Sequence, residues 1–197
     1  MKKTILGALL GTAGVLVLPA AYADNTEFFT PGTTKLALDA GLAGGGDKLA
    51  TVTFTDGSSR SIYAGNALFT DIGFLHNFPA SDWSLKGTIG YAFSSVHASN
   101  GDFAFDREPL DLIAIYSRGD HHLGLGLTYH LNPHLDLDNF GPSADFDNAA
   151  GLILQYQYWM FGVRYTSITY KAAASTHCIA NCSFDGSSIG VFFNFAF

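Results

Sequence analysis

Leu123-Gly124-Leu125-Gly126-Leu127-Thr128-Tyr129-His130 alternates without an error: leucine or tyrosine at every odd position, glycine, threonine or histidine at every even one. Successive side chains of a β-strand point to opposite faces, so this stretch has one wholly apolar face and one small, polar face. A soluble barrel or sandwich would turn the leucines inward and pack them. The opposite face here, of glycine, threonine and histidine, is too small and too polar to make a dry core of its own. The reverse arrangement, apolar residues toward lipid and small or polar ones toward a lumen, is that of a transmembrane strand of about 9–11 residues.

The same spacing recurs along the chain. In residues 83–94, Trp83, Leu85, Ile89, Tyr91 and Phe93 fall on one side, with Ser84, Lys86, Thr88, Gly90 and Ser94 on the other. In residues 188–197, Ile189, Val191, Phe193, Phe195 and Phe197 oppose Ser188, Gly190, Asn194 and Ala196, with Phe192 the exception. Five noisier segments follow the rule: 35–43, 68–78, 109–117, 150–157 and a strand opening at Trp159, whose upper end at Ile168 and Tyr170 departs from it. Connections alternate short (79–82, 118–120, the turn near 157–158) and long (44–67, 96–108, 131–149, 171–185). That rhythm predicts an all-β fold, an eight-stranded antiparallel transmembrane up-and-down β-barrel with both termini on the short-turn side. Asp56-Gly57 is a hairpin-turn signal, and a ninth strand there would break the rhythm. The expectation is an extended loop-one hairpin over 44–67, bent at Gly44-Gly45-Gly46. Phe78, Trp83, Tyr116, Tyr158, Trp159 and Phe197 would form the turn-side aromatic girdle, and Tyr91, Phe93, Tyr129 and Tyr165 the loop-side one.

The N-terminus reads as an address. Lys2 and Lys3 precede an apolar run, and Ala21-Tyr22-Ala23 supplies the small-x-small pattern of a signal peptide cleaved after residue 23. Residues 24–33 are then a periplasmic N-terminal segment, and 34–197 the barrel. Removing two lysines takes the net charge from −7 to −9. An acidic chain without clustered Lys and Arg excludes nucleic acid as a partner.

The mature chain resembles the small bacterial outer-membrane β-barrel proteins, the OmpA/OmpX/OmpW-like group. The resemblance rests on the signal peptide, the eight alternating strands and the terminal run 190–197. It implies a bacterial outer-membrane location with N- and C-termini periplasmic, and partners among outer-membrane lipids and lipopolysaccharide. It also implies that Phe193, Phe195 and Phe197 present the assembly signal to the barrel-assembly machinery. The group includes anchors, adhesins, channels and enzymes, so it does not choose an activity.

Several residues are candidates for chemistry. Lys35, Asp39, Asp71, Lys86, Asp111 and Arg164 all have inward parity. Buried charges must be paired, so they are expected to form a network filling a lumen only wide enough for side chains. Phe69, Leu75, Ile113, Ile115, Ile153 and Phe192 are the apolar lining that a conduit for small hydrophobic molecules would use. His97-Ala98-Ser99-Asn100 is similar to the His-x-Ser-Asn stretch of outer-membrane lipid A deacylases. That likeness implies His97 as base, Ser99 as nucleophile, and Glu108 or Asp111 to orient the histidine. The motif lies earlier in this chain than in that family, and the plainer expectation for it is a polar loop. No metal spacing is present: His122 and His130 are about 27 Å of strand apart, and Pro133 intervenes between His130 and His134. Asp136, Asp138, Asp145 and Asp147 read as a solvated loop, and no cofactor pattern appears. Cys178 and Cys182 are the only cysteines. In an exported chain they are expected to form a disulfide, although neighbouring His177 also suits a metal.

Overall fold

The computed structural model describes residues 29–53, 57–98, 101–137, 143–173 and 182–197. The signal peptide and Cys178 fall outside the described residues, so the cleavage site and the Cys178–Cys182 pairing stay expectations. Among the described residues are twelve strands: β1 (Thr34–Gly44), β2 (Lys48–Thr53), β3 (Ser59–Tyr63), β4 (Ala67–Asn77), β5 (Trp83–Ala98), β6 (Gly101–Arg118), β7 (His121–Asp136), β8 (Ala144–Asp145), β9 (Ala149–Tyr158), β10 (Phe161–Lys171), β11 (Ser183–Asp185) and β12 (Ser188–Ala196). Eight of them, β1, β4, β5, β6, β7, β9, β10 and β12, pair antiparallel in that order. β12 returns to β1 through eight residue pairs, from Ala37↔Ala196 to Gly44↔Ile189, and closes the barrel. No edge is left among these strands, as hydrocarbon demands of a spanning sheet.

The register sets the barrel's width. Stepping across partners from Thr34 passes His76, Leu85, Ala114, Leu125, Leu154, Tyr165 and Ile189 and returns at Gly44, ten residues further along β1. With eight strands, ordinary rise and spacing turn that offset into a strand tilt of about 41°. The backbone then lies roughly 8 Å from the axis, which leaves an interior that side chains can fill.

A belt of large apolar side chains faces outward, among them Leu42, Ile72, Phe74, Leu112, Leu123, Leu125, Leu127, Leu152, Val163 and Val191. All ten expected girdle aromatics are exposed at its two rims. A soluble chain would not present so large a contiguous apolar surface to water; the belt marks this as a transmembrane barrel.

Above the belt the pattern inverts, and this corrects the expected strand ends. β5 and β6 run on to Ala98 and Gly101, so the expected long loop over 96–108 is mostly paired strand. Pro109 sits within β6 and lacks an N–H. The ladder stops at Ile89↔Leu110 and resumes in unchanged register at Ala92↔Arg107. Past this point Phe103, Phe105, Leu135, Phe146, Ile168 and Tyr170 point inward, beneath Ile62 and Ala64 of the hairpin arm. Glu108, Asp136, Thr169 and Lys171 face outward. Ile168 and Tyr170 therefore keep their inward parity; they look irregular only because the outer surface there meets water and the interior is the apolar side. Asn132, at φ 47°, shifts the parity of β7 so that Leu135 joins this cap. The last short turn is Trp159–Met160 rather than 157–158, since β9 continues through Tyr158.

The hairpin forms its own two-stranded sheet, β2–β3. Gly45 and Gly46 make its bend with φ of 139° and 78°. A Cβ on Gly46 would lie 2.6 Å from the Asp185 carbonyl and 2.8 Å from the Gly65 nitrogen, so the bend requires glycine on both counts.

Candidate functional site in the barrel lumen

The lumen is stacked in storeys. At the turn side Phe29 lies across the mouth with its ring stacked on His122, centroids 3.8 Å apart. The segment behind it is held by Gly32 N–H donating to Asn77 O at 2.9 Å and Asn77 N–H to Thr33 O at 2.8 Å. Ser84 Oγ donates to Asn77 Oδ1 at 2.6 Å. Next comes an apolar cluster of Ala37, Leu75, Ile113 and Ile115, all buried, with Phe29 against it, which Ile153 joins from the level of Thr166, loop-side of Arg164.

The charged storey follows, and Arg164 is its hub. Its Nη1 donates to Asp71 Oδ2 and Asp111 Oδ2, both at 3.2 Å, and its Nη2 donates to Asp39 Oδ2 at 3.0 Å. Lys86 Nζ shares that Asp39 oxygen at 2.6 Å, while Asn194 Nδ2 donates to the other oxygen, Asp39 Oδ1. The guanidinium carbon of Arg164 sits 5.3 Å from the Phe69 ring centre and 5.1 Å from that of Phe192. Cation–π contact of this kind is strongest where water is excluded.

Phe192 fits inside because its neighbours are glycines. A Cβ on Gly162 would collide with the Phe192 ring, and one on Gly41 would lie 2.6 Å from Phe69 Cζ and 2.9 Å from Phe192 Cβ. The exception in the alternation of β12 is thus a lumen-filling ring over two glycines.

Above the charges, Arg107 is buried and spans from the lumen to the cap. Its Nη1 and Nη2 donate to Asn66 O at 3.3 and 3.4 Å, and it lies 5.1 Å over the Phe105 ring. The Tyr170 hydroxyl lies 2.6 Å from His130 Nδ1, within hydrogen-bond distance. Tyr170 belongs to the cap, above the belt. Burial pushes its hydroxyl up to about 12, against the opposing pull of Arg107.

The structure brings five of the six expected lumen charges together: Asp39, Asp71, Lys86, Asp111 and Arg164. Lys35 shares their parity but is half-buried at the turn-side mouth, four residues, or about 13 Å, down β1 from Asp39. The six lining residues Phe69, Leu75, Ile113, Ile115, Ile153 and Phe192 are buried inside the barrel. His97 pairs with Asp102 through the backbone of β5, and Ser99 lies outside the described residues. Asp111 accepts from Arg164 inside the lumen, and Glu108 faces outward. His122 and His130 sit in different storeys. His134 is bonded instead to Asp145, Nδ1 to Oδ1 at 2.7 Å, and Asp136 accepts from Ser143 at 3.1 Å. No group of three or more metal-ligating side chains occurs among the described residues.

Sequence reasoning missed Arg107, Tyr170 and Phe29 as lumen residues; it gave Asn194 inward parity but not its bond to Asp39. Arg107 had a usable signal: Phe103, Phe105 and Arg107 alternate with Ala104, Asp106 and Glu108. The proline that follows concealed it.

Fold and lumen together define a closed, side-chain-filled eight-stranded transmembrane β-barrel. No protein-family model matches the chain, and no curated protein matches it. Among solved structures it is similar to Ail, the attachment invasion locus protein of Yersinia pestis, determined in complex with the heparin analogue sucrose octasulfate. The identity is 12%, the match covers 84% of this chain and 100% of that one, and the TM-score is 0.40.

Proposed function

We propose that this protein is a bacterial outer-membrane barrel that acts through the surface it raises above the membrane and passes no solute. The observation that supports this reading is the Arg164 hub. It ties three inward carboxylates from three different strands across a lumen that is apolar on its turn side and capped on its loop side. The portion above the belt, from β5, β6, β7 and the β2–β3 hairpin, has its own apolar core and so offers an ordered face for interaction. Both termini lie in the periplasm in this reading, outer-membrane lipid and lipopolysaccharide cover the belt, and Phe193, Phe195 and Phe197 address the assembly machinery.

Planar-bilayer conductance tests the closed lumen: the wild-type barrel is expected to be silent, and porin-like steps would refute the reading. Orientation is tested in a C178S/C182S background with a membrane-impermeant maleimide on intact cells. A cysteine at position 48 is expected to label and one at position 81 to stay unlabelled; the opposite result inverts the barrel. Deleting Phe197 is expected to leave unfolded protein in the periplasm, and normal assembly without it would remove the proposed signal.

A further inference from the structure

Between the Arg164 storey and the aromatic cap lies a chamber of about 50 Å³. It exists because the strands facing it carry small residues at this level: Ala43 on β1, Ala67 on β4, Ala92 on β5 and Gly190 on β12. The storey below is occupied by Arg164 and Lys86 with the rings of Phe69 and Phe192, and the cap above by Phe105, Phe146 and Tyr170. The chamber's remaining walls include Arg107, Asp71, Asp111, Thr128 and Arg164.

Those polar walls are incompletely satisfied. Asp71 Oδ1, Asp111 Oδ1, Thr128 Oγ1, Arg107 Nε and Arg164 Nε are buried and have no hydrogen-bond partner among the described residues. The charges point the same way. Below the chamber, Asp39, Asp71 and Asp111 face Lys86 and Arg164, which leaves one carboxylate in excess. Across the chamber, Arg107 carries a positive charge whose guanidinium nitrogens Nη1 and Nη2 both donate to a neutral group, the Asn66 carbonyl. The excess negative charge and its counter-charge are held on opposite walls of one void.

We propose that this chamber is a binding site for a small cluster of water molecules that joins Arg107 to Asp71 and Asp111. A bound water needs about 10–15 Å³ and two to four polar partners, so the volume takes about three or four. The unpaired acceptors and donors supply the partners. Water donates to the free oxygens of Asp71 and Asp111, exchanges hydrogen bonds with the Thr128 hydroxyl, and accepts from Arg107 Nε–H. The cluster completes the electrostatics of the lumen, which the side chains leave one connection short. It is held as part of the fold, apart from any path across the membrane.

The test uses the full mature barrel refolded in nanodiscs, with arginine side chains labelled with ¹⁵N. Rotating-frame Overhauser spectra at mildly acidic pH are expected to show a cross-peak between Arg107 Nε–H and the water frequency, with the sign of a long-lived bound molecule rather than of chemical exchange. Its absence overturns the proposal. Ala92→Leu, which grows a side chain into the chamber, supplies a second arm. A wet chamber predicts that the cross-peak vanishes and the urea midpoint of the variant falls, because polar atoms lose their partners. A dry void predicts a raised midpoint, as for any filled cavity, and that result also overturns the proposal. If the variant does not fold, the wild-type spectrum decides alone.

Discussion

Replacing Arg164 by methionine removes the hub while keeping much of the side-chain length. Asp39 retains Lys86 at 2.6 Å, but Asp71 and Asp111 lose the guanidinium nitrogen that both bond at 3.2 Å. Removing one partner from a buried ion pair costs about 3–5 kcal/mol, because the stranded charge remains desolvated. Here two carboxylates are stranded in the same storey, so R164M is expected at the upper end of that range. The compensated variant R164M/D71N/D111N removes both stranded carboxylates and keeps the Asp39–Lys86 pair, but leaves Arg107 without the carboxylates it faces across the lumen. It is therefore expected to recover much of the loss of R164M without exceeding wild type. The assay is urea unfolding in lipid vesicles, followed by the fluorescence of Trp83 and Trp159, which face outward at the turn side. Heat-modifiable gel mobility counts the folded fraction. The reasoning fails if R164M loses less than about 1 kcal/mol, or if the triple variant is no more stable than the single one.

Three further outcomes follow from other storeys. Leu125 lies in the belt, exposed and paired with Ala114 and Leu154; L125R is expected to cost about 2–4 kcal/mol in vesicles, whereas T169R, above the belt, should be nearly neutral by the same urea assay. G162A sets a Cβ against the Phe192 ring and is expected to cost about 1–3 kcal/mol by overpacking; the loss should be recovered in G162A/F192L, and a neutral G162A would show that the ring is not confined there. The Tyr170 hydroxyl is held up to about 12 in the folded state, against 10 when unperturbed. A raised folded value means the protonated form is favoured by folding, so this stability is complete below pH 10 and is lost as pH rises through 12. Urea midpoints of wild type should fall more steeply than those of Y170F across that window, and parallel curves would refute the assignment.

Within the belt the chain is legible residue by residue. Lipid outside and a narrow lumen inside impose opposite demands on alternate positions, and 123–130, 83–94 and 188–197 record those demands directly. The inward parity of Asp39, Asp71, Lys86, Asp111 and Arg164 is equally a local property. The strand count comes from the rhythm of turns, because only an even number returns the last strand beside the first from the same side.

What tertiary structure alone decides is which inward residues share a level. Asp39, Asp71, Asp111 and Arg164 are up to 125 positions apart in the chain, and their meeting depends on the ten-residue offset accumulated around eight strands. The same offset keeps Lys35 out of the cluster. Where the outer surface changes from lipid to water the alternation code reverses, so Phe105, Ile168 and Tyr170 look irregular in sequence and are regular in space. The small residues at 43, 67, 92 and 190 are unremarkable in four separate strands, and only closure of the barrel sets them around one chamber. Period-two patterning reads the face of each side chain because that is set by the backbone of its own strand. The height at which side chains meet is set by pairing between strands, and no single strand carries it.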